Sequence, residues 1–245
     1  MTLNIIFNIN KNVLVPYFQG LFDKEGNQFG SELLVRLKNE NKIILPGNFI
    51  PQIEEAKLIS LIDLWSFEEA CKWQQRYPKL QASCNISGDS LVSGFFFEKL
   101  SELTQIYAID SSKISLELTE SRDISLSAIA TVEQLANLGY KLVLDDWGKE
   151  YSGFNRLYAL PISKVKIDRF LIANLTTDNL VRNGNYKAIR IIEGMIEIAR
   201  RLKIEILAEG VETKEQFELL KKLGCREFQG YYFNKPQSDP KRNVL

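Results

Sequence analysis

Two adjacent carboxylates, Asp145-Asp146, end the apolar run Leu142-Val143-Leu144, and Gly148 follows two residues later. A strand that terminates in paired acids can seat hard divalent cations. Alone, such a step is more often a solvated turn. Other apolar runs carry polar residues at or near their ends: Asn85 in Cys84-Asn85-Ile86-Ser87, Glu117 and Glu120 in Leu116-Glu117-Leu118-Thr119-Glu120, and Lys166 in Val165-Lys166-Ile167-Asp168. Glu209 and Glu212 follow in Ala208-Glu209-Gly210-Val211-Glu212, and Gln229 in Phe228-Gln229-Gly230. Each has an ordinary account as a cap or a surface charge, but the recurrence is harder to dismiss. Converging carboxylates repel one another and are costly to bury, and divalent metal is the most economical way to neutralise several together. Oxygen ligands select Mg²⁺ or Mn²⁺ over zinc. Two such ions close together can activate a water and stabilise both oxygens of an in-line displacement on phosphorus, so metal-assisted phosphodiester hydrolysis is the leading chemistry.

Several other chemistries are excluded. The 245-residue chain has no histidine, which removes Ser-His-Asp and Cys-His catalysis and His-rich zinc sites together. Cys71, Cys84 and Cys225 are odd in number and widely spaced, so they read as buried thiols. Lys+Arg and Asp+Glu both number 31, leaving no net basic field for long nucleic acid or an anionic membrane; a small anionic ligand is the more natural partner. Residues Met1 to Asn12 lack the basic start and sustained apolar stretch of a signal peptide, and no run reaches the length of a membrane span. The expected location is cytoplasmic.

The elements that must position these groups alternate. Strand candidates are Val13 to Phe22, Glu32 to Leu37, Ala82 to Ile86, Ile114 to Thr119, Lys141 to Asp145, Lys164 to Ile167, Glu205 to Ala208 and Phe228 to Phe233. Helical patterns lie between most of them; Ala188, Ile191, Ile192, Met195, Ala199 and Leu202 share one face. No linker or repeat divides the sequence, so residues 1–245 read as a single domain. About eight alternations, and no Gly-rich phosphate fingerprint after the first strand, favour an α/β fold closed as a (β/α)8 barrel. The first two strands are joined by too few residues for a crossover helix, so they should pair as a hairpin, with the first strand antiparallel. In such barrels the working residues sit at the carboxyl ends of the strands and in the loops after them.

These motifs, in this order, resemble the EAL-domain family, the cyclic-di-GMP phosphodiesterases named for a Glu-Ala-Leu triplet. The triplet here reads Glu32-Leu33-Leu34, followed by Val35-Arg36. The similarity continues through Phe49-Ile50-Pro51, the Asn85 segment, Leu116 to Ser121, Asp145-Asp146-Trp147-Gly148, Lys166-Ile167-Asp168, Ala208 to Thr213 and Gln229-Gly230-Tyr231. It implies a modified TIM-like (β/α)8 barrel with an antiparallel first strand. It further implies that Glu32, Asn85, Glu117 and Asp145 hold one Mg²⁺ or Mn²⁺ ion, with Asp145 and Asp146 helping to hold a second. By the same resemblance Glu209 joins the second ion or its water, and Lys166 orients and helps deprotonate that water. Gln19 and Arg36 are implied as contacts to substrate phosphate and guanine, Arg36 through its fork of donors. The resemblance also implies that Gln229 closes the far side of the site and that Glu120 and Glu212 brace the loop after the fifth strand and the site's wall. The implied reaction opens cyclic di-GMP at one phosphodiester to give linear pGpG.

The chain departs from the family pattern after the paired acids. Where the family reads Asp-Phe-Gly-Thr-Gly-Tyr-Ser-Ser, this chain has Asp146-Trp147-Gly148-Lys149-Glu150-Tyr151-Ser152-Gly153. Lys149 replaces a small hydroxyl and Glu150 a glycine. The resemblance connects this loop with support of the second ion and, in relatives, with homodimer contacts. Gly20 also stands where a proline usually follows Gln19. The alternative to an active phosphodiesterase is therefore a catalytically weak or inactive domain serving as a cyclic-di-GMP receptor or protein-interaction module.

Overall fold

The computed structural model describes residues 12–118, 126–149, 153–175 and 186–238. The chain opens with a hairpin: β1 (Asn12–Asp23) pairs antiparallel with β2 (Gln28–Asn39) along nearly its whole length. The turn is set locally. Asp23 Oδ1 accepts from the Glu25 and Asn27 backbone N–H groups at 2.9 and 2.8 Å, and Gly26 takes the left-handed φ of 84° that the reversal needs. A short β3 (Lys42–Ile44) folds back on the far end of β2.

From β2 onward the barrel is parallel: β4 (Gln81–Ile86), β5 (Ile114–Leu118), β6 (Lys141–Trp147), β7 (Lys164–Ile167), β8 (Glu205–Ala208) and β9 (Glu227–Phe228) add in sequence order. β9 then pairs antiparallel with β1 and closes eight strands, with β3 outside the ring. The expected barrel and its reversed first strand are both present. Described helices on the outside are α1 (Ile50–Glu55), α2 (Ile59–Arg76), α3 (Gly88–Leu91), α4 (Gly94–Ile106), α5 (Leu126–Asn137), α6 (Gly153–Ala159), α7 (Arg169–Ala173), α8 (Tyr186–Leu202) and α9 (Lys214–Leu223). Among the described residues no helix is long and apolar enough to cross a membrane.

Period-2 alternation separates two environments. Cys84, Ile86, Leu116, Leu118, Leu144, Val165, Ile167 and Ala208 belong to a buried apolar core shared with helix residues such as Phe67, Ala70, Phe96, Val132 and Ile192. The residues between them meet inside the barrel. Toward one end, buried Lys164 ion-pairs with Glu227 and, at 3.3 Å, with Glu205. Two residues further along β7, Lys166 anchors a second polar layer.

Several local expectations differ from the structure, and the second strand, expected over Glu32 to Leu37, runs from Gln28 to Asn39. The last strand ends at Phe228 rather than Phe233, because Gly230 turns the chain so that the Tyr232 N–H donates to the Val211 carbonyl. β6 runs past Asp145 to Trp147. On α8, Ala188, Ile192, Met195 and Ala199 are buried, whereas Ile191 lies at the edge of that face and Leu202 in the last turn, and both are exposed.

Candidate active site

Strand register brings together residues far apart in sequence. Glu32 on β2 sits opposite Ser83 on β4, and Asn85 opposite Glu117 on β5. Asp145 lies on β6 and Lys166 on β7. Glu209 and Gln229 leave the ends of β8 and β9, held by the Glu209 N–H on the Ile167 carbonyl and the Gln229 N–H on the Ala208 carbonyl.

The centre of this cluster is Lys166, with only 2 % of its surface exposed. Its ammonium lies 2.6 Å from Glu117 Oε2, 3.3 Å from Glu32 Oε2, 3.3 Å from Asp145 Oδ1 and in direct contact with Glu209 Oε1. An ammonium has three protons, and four carboxylates face it. The deficit falls on Asp145, whose buried Oδ1 has no hydrogen bond. Neutral donors satisfy part of the rest: Asn85 Nδ2 donates to Glu32 Oε1 at 3.1 Å, Gln229 Nε2 to Glu32 Oε2 at 2.7 Å, and Ser83 Oγ to Glu117 Oε1.

The electrostatics record the imbalance. Burial, and then the neighbouring Glu32 charge, push Glu117 up to about 8 against the pull of Lys166. Burial likewise raises Asp145 and lifts Glu209 well above the usual carboxylate range, again against Lys166. Burial alone would lower Lys166, but the charges of Asp145, Glu117, Glu209 and Glu32 outweigh it and hold the ammonium well above its ordinary value.

Asp146 sits beside this cluster in a left-handed conformation, φ 53°, which a non-glycine residue seldom adopts. Burial pushes its carboxyl up, but hydrogen bonds with Lys149 and Asp168 prevail and hold it below the usual value. Among the described residues, Asp145, Asp146 and Glu209 each present an oxygen within 4.8 Å of the others. Opposite ligands of an octahedral Mg²⁺ stand about 4 Å apart, so a small closure would seat an ion. The all-oxygen donor set, the surplus of carboxylates and an Asp145 Oδ1 without a hydrogen bond fit a hard divalent cation.

The remaining expected site residues divide. Gln19 is in the cluster, accepting from Gln229 Nε2 at 3.3 Å and donating to the Asn234 carbonyl at 3.3 Å. Arg36 is four residues along β2 from Glu32, its guanidinium over the Tyr17 ring and donating to the Val35 carbonyl at 2.9 Å. It makes no ion pair with the four carboxylates around Lys166. The Glu212 side chain is exposed; that loop is fixed by Gln216, whose Oε1 accepts the Glu212 and Thr213 N–H groups. Glu120 and Glu150 lie outside the described residues. At Gly20, the N–H donates to Asn234 Oδ1 at 3.1 Å, a bond that proline could not make.

Sequence reasoning missed three contributors. Ser83 was signalled only by its place two residues before Asn85, and Asp168 by its place two after Lys166. Asp63 carried no local signal: from α2 its Oδ2 accepts the Ser87 N–H at 2.8 Å and the Ser90 hydroxyl at 2.7 Å, clamping the turn after Asn85. Burial pushes this carboxyl up to about 6, against the lowering effect of those bonds.

The EAL domain model matches residues 7–236. Oxygen sensor protein DosP of Escherichia coli is 31% identical over 235 residues, covering 93% of this chain and 28% of that protein. Cyclic di-GMP phosphodiesterase PA2567 of Pseudomonas aeruginosa is 32% identical over 218 residues, covering 86% of this chain and 36% of that protein. The chain thus spans about a third of the length of these curated relatives. The solved PaMucR phosphodiesterase, in complex with c-di-GMP, superposes with a TM-score of 0.81 at 30% identity, covering 91% of this chain and 96% of that one.

Proposed function

This chain belongs to the EAL-domain family, and we propose that its barrel hydrolyses cyclic di-GMP to linear pGpG with Mg²⁺ or Mn²⁺. The observation that carries the reading is the charge deficit at the strand ends: four carboxylates around one buried ammonium, with Asp145 Oδ1 in ion-pair range of it but without a hydrogen bond. A site built only to stabilise the fold would balance its buried charges.

In this reading Glu32, Asn85, Glu117 and Asp145 would hold one ion, and Asp145, Asp146 and Glu209 a second. Bound there, divalent ions supply Lewis acidity toward a phosphoryl oxygen and lower the pKa of a water. Lys166 has two tasks. Its ammonium holds the carboxylates together before ions arrive, and it orients the attacking water toward Glu209, its direct contact. Asn85 and Gln229 fix Glu32, and Ser83 fixes Glu117, so these carboxylates need little reorganisation. Arg36 and Gln19, further along the hairpin, are assigned to the substrate's phosphate and guanine; Arg36 must leave the Val35 carbonyl to reach a phosphate.

A second reading, a receptor that binds the dinucleotide but turns it over slowly, is favoured by the ion pair between Lys149 and Asp146 at 2.7 Å, because it occupies a carboxylate proposed for the second ion. Incubation with cyclic di-GMP and Mn²⁺, followed by chromatography, separates the two. The enzyme reading expects pGpG from the native protein and none from Glu32→Ala; binding with turnover equal to that control would establish the receptor instead.

A further inference from the structure

Lys149 is placed over Asp146 by the backbone, not by chance contact of two surface chains. Asp146 at φ 53°, in the last residues of β6, and Gly148 at φ 103°, just beyond it, turn the chain, and the Lys149 N–H closes the turn on the Asp146 carbonyl at 3.1 Å. This brings the Lys149 side chain back onto Asp146, with Nζ 2.7 Å from Oδ2. Asp146 also contacts Asp168 through its side chain. The carboxylate of one member of the Asp145, Asp146 and Glu209 group is thus engaged by a cation that belongs to the chain itself.

We infer that Lys149 is a tethered counter-cation that competes with the second divalent ion for Asp146, so that this chain loads that ion only at raised free-ion concentration. The inference rests on the proposed metal site. An ion held by Asp146 within about 2.1 Å of an oxygen would stand close to the ammonium, and like charges at such a separation repel. Either Lys149 swings into solvent or the ion does not bind. With its side chain 54% exposed, Lys149 can swing. The competition is therefore graded, and solvent limits it to roughly a two- to fivefold change in dissociation constant. The arrangement makes ion occupancy, and through it turnover, responsive to the concentration of free divalent ion.

The test measures ion binding directly. Mn²⁺ is titrated into the native protein, Lys149→Met and Lys149→Arg, with free Mn²⁺ read by electron paramagnetic resonance at low and high salt. Thermal melts verify that each variant is folded, which the exposure of Lys149 favours. The expected result is an unchanged tighter site in all three proteins. The weaker site should tighten two- to fivefold in Lys149→Met, stay native-like in Lys149→Arg, and lose most of this difference at high salt. Mn²⁺ binding in Lys149→Met indistinguishable from native would overturn the inference while leaving the metal site standing. Failure of all three proteins to bind Mn²⁺ would overturn both.

Discussion

Replacing Lys166 with methionine keeps much of the side-chain volume but removes the only cation in direct contact with Glu32, Glu117, Asp145 and Glu209 among the described residues. Breaking a buried ion pair by deleting one partner costs about 3–5 kcal/mol. Here part of that cost is recovered, because the carboxyls can take up protons: Glu117 already titrates at about 8 with the lysine present. Near pH 8 the loss should lie at the lower end, about 3 kcal/mol, or roughly 6–12 °C in Tm for a chain of this length. The native carboxyls also take up protons as pH falls, Glu117 from about 8, and these cancel against the variant's, so the loss changes with pH only through protons that the variant alone binds. Mn²⁺ supplies the missing positive charge and should raise the variant's Tm more than that of the native protein, whose ammonium opposes the ion. Thermal unfolding of both proteins in chelator and in Mn²⁺ gives these quantities. A variant that melts within a degree or two of native in chelator near pH 8, with no larger response to Mn²⁺, would refute the view that Lys166 holds uncompensated carboxylates.

Two further predictions follow from residues around the site. Asp63 has a folded-state pKa raised from 3.8 to about 6. Its contribution to stability is therefore fully present below its unfolded value and is lost as pH rises through about 6. Asp63→Asn can still accept from Ser87 and Ser90 through one oxygen, so relative to native it should gain about 2 kcal/mol between pH 4 and pH 8; parallel urea-stability profiles for the two proteins would contradict this. At Gly230, an added Cβ would lie 2.0 Å from the Val211 carbonyl oxygen and 2.3 Å from its nitrogen. Gly230→Ala should cost at least about 3 kcal/mol and displace neighbouring Gln229 from Glu32, whereas a loss under about 1 kcal/mol in denaturant unfolding would show that the turn can yield.

Much of this was legible in the chain. The short link between the first two strands dictated a hairpin, and alternation within segments such as Ile114-Ser115-Leu116-Glu117-Leu118 separated a helix-facing side from a barrel interior. Acids and amides at successive strand ends marked one face. What could not be read was which interior residues touch, because that depends on stagger between strands closed into a ring. Hence Ser83 beneath Glu117 and the fourfold environment of Lys166 emerge only in three dimensions. Asp63 reaches the site from a helix with no motif around it, and the Lys149 contact depends on a left-handed aspartate that composition does not announce. The strand candidate at Phe228–Phe233 overran for a related reason: its aromatic residues suit a strand, but they pack around Phe217 and Phe22 from a turn instead.

The most direct test of the central claim, that these carboxylates gather divalent ions to hydrolyse cyclic di-GMP, is a turnover experiment in ¹⁸O-labelled water with product mass measured in Mn²⁺ and in chelator. The account predicts pGpG carrying a single ¹⁸O on its terminal phosphate, formed only with Mn²⁺ and absent in Glu32→Ala. Intact cyclic di-GMP after prolonged incubation with Mn²⁺, or product formed equally in chelator, would contradict it.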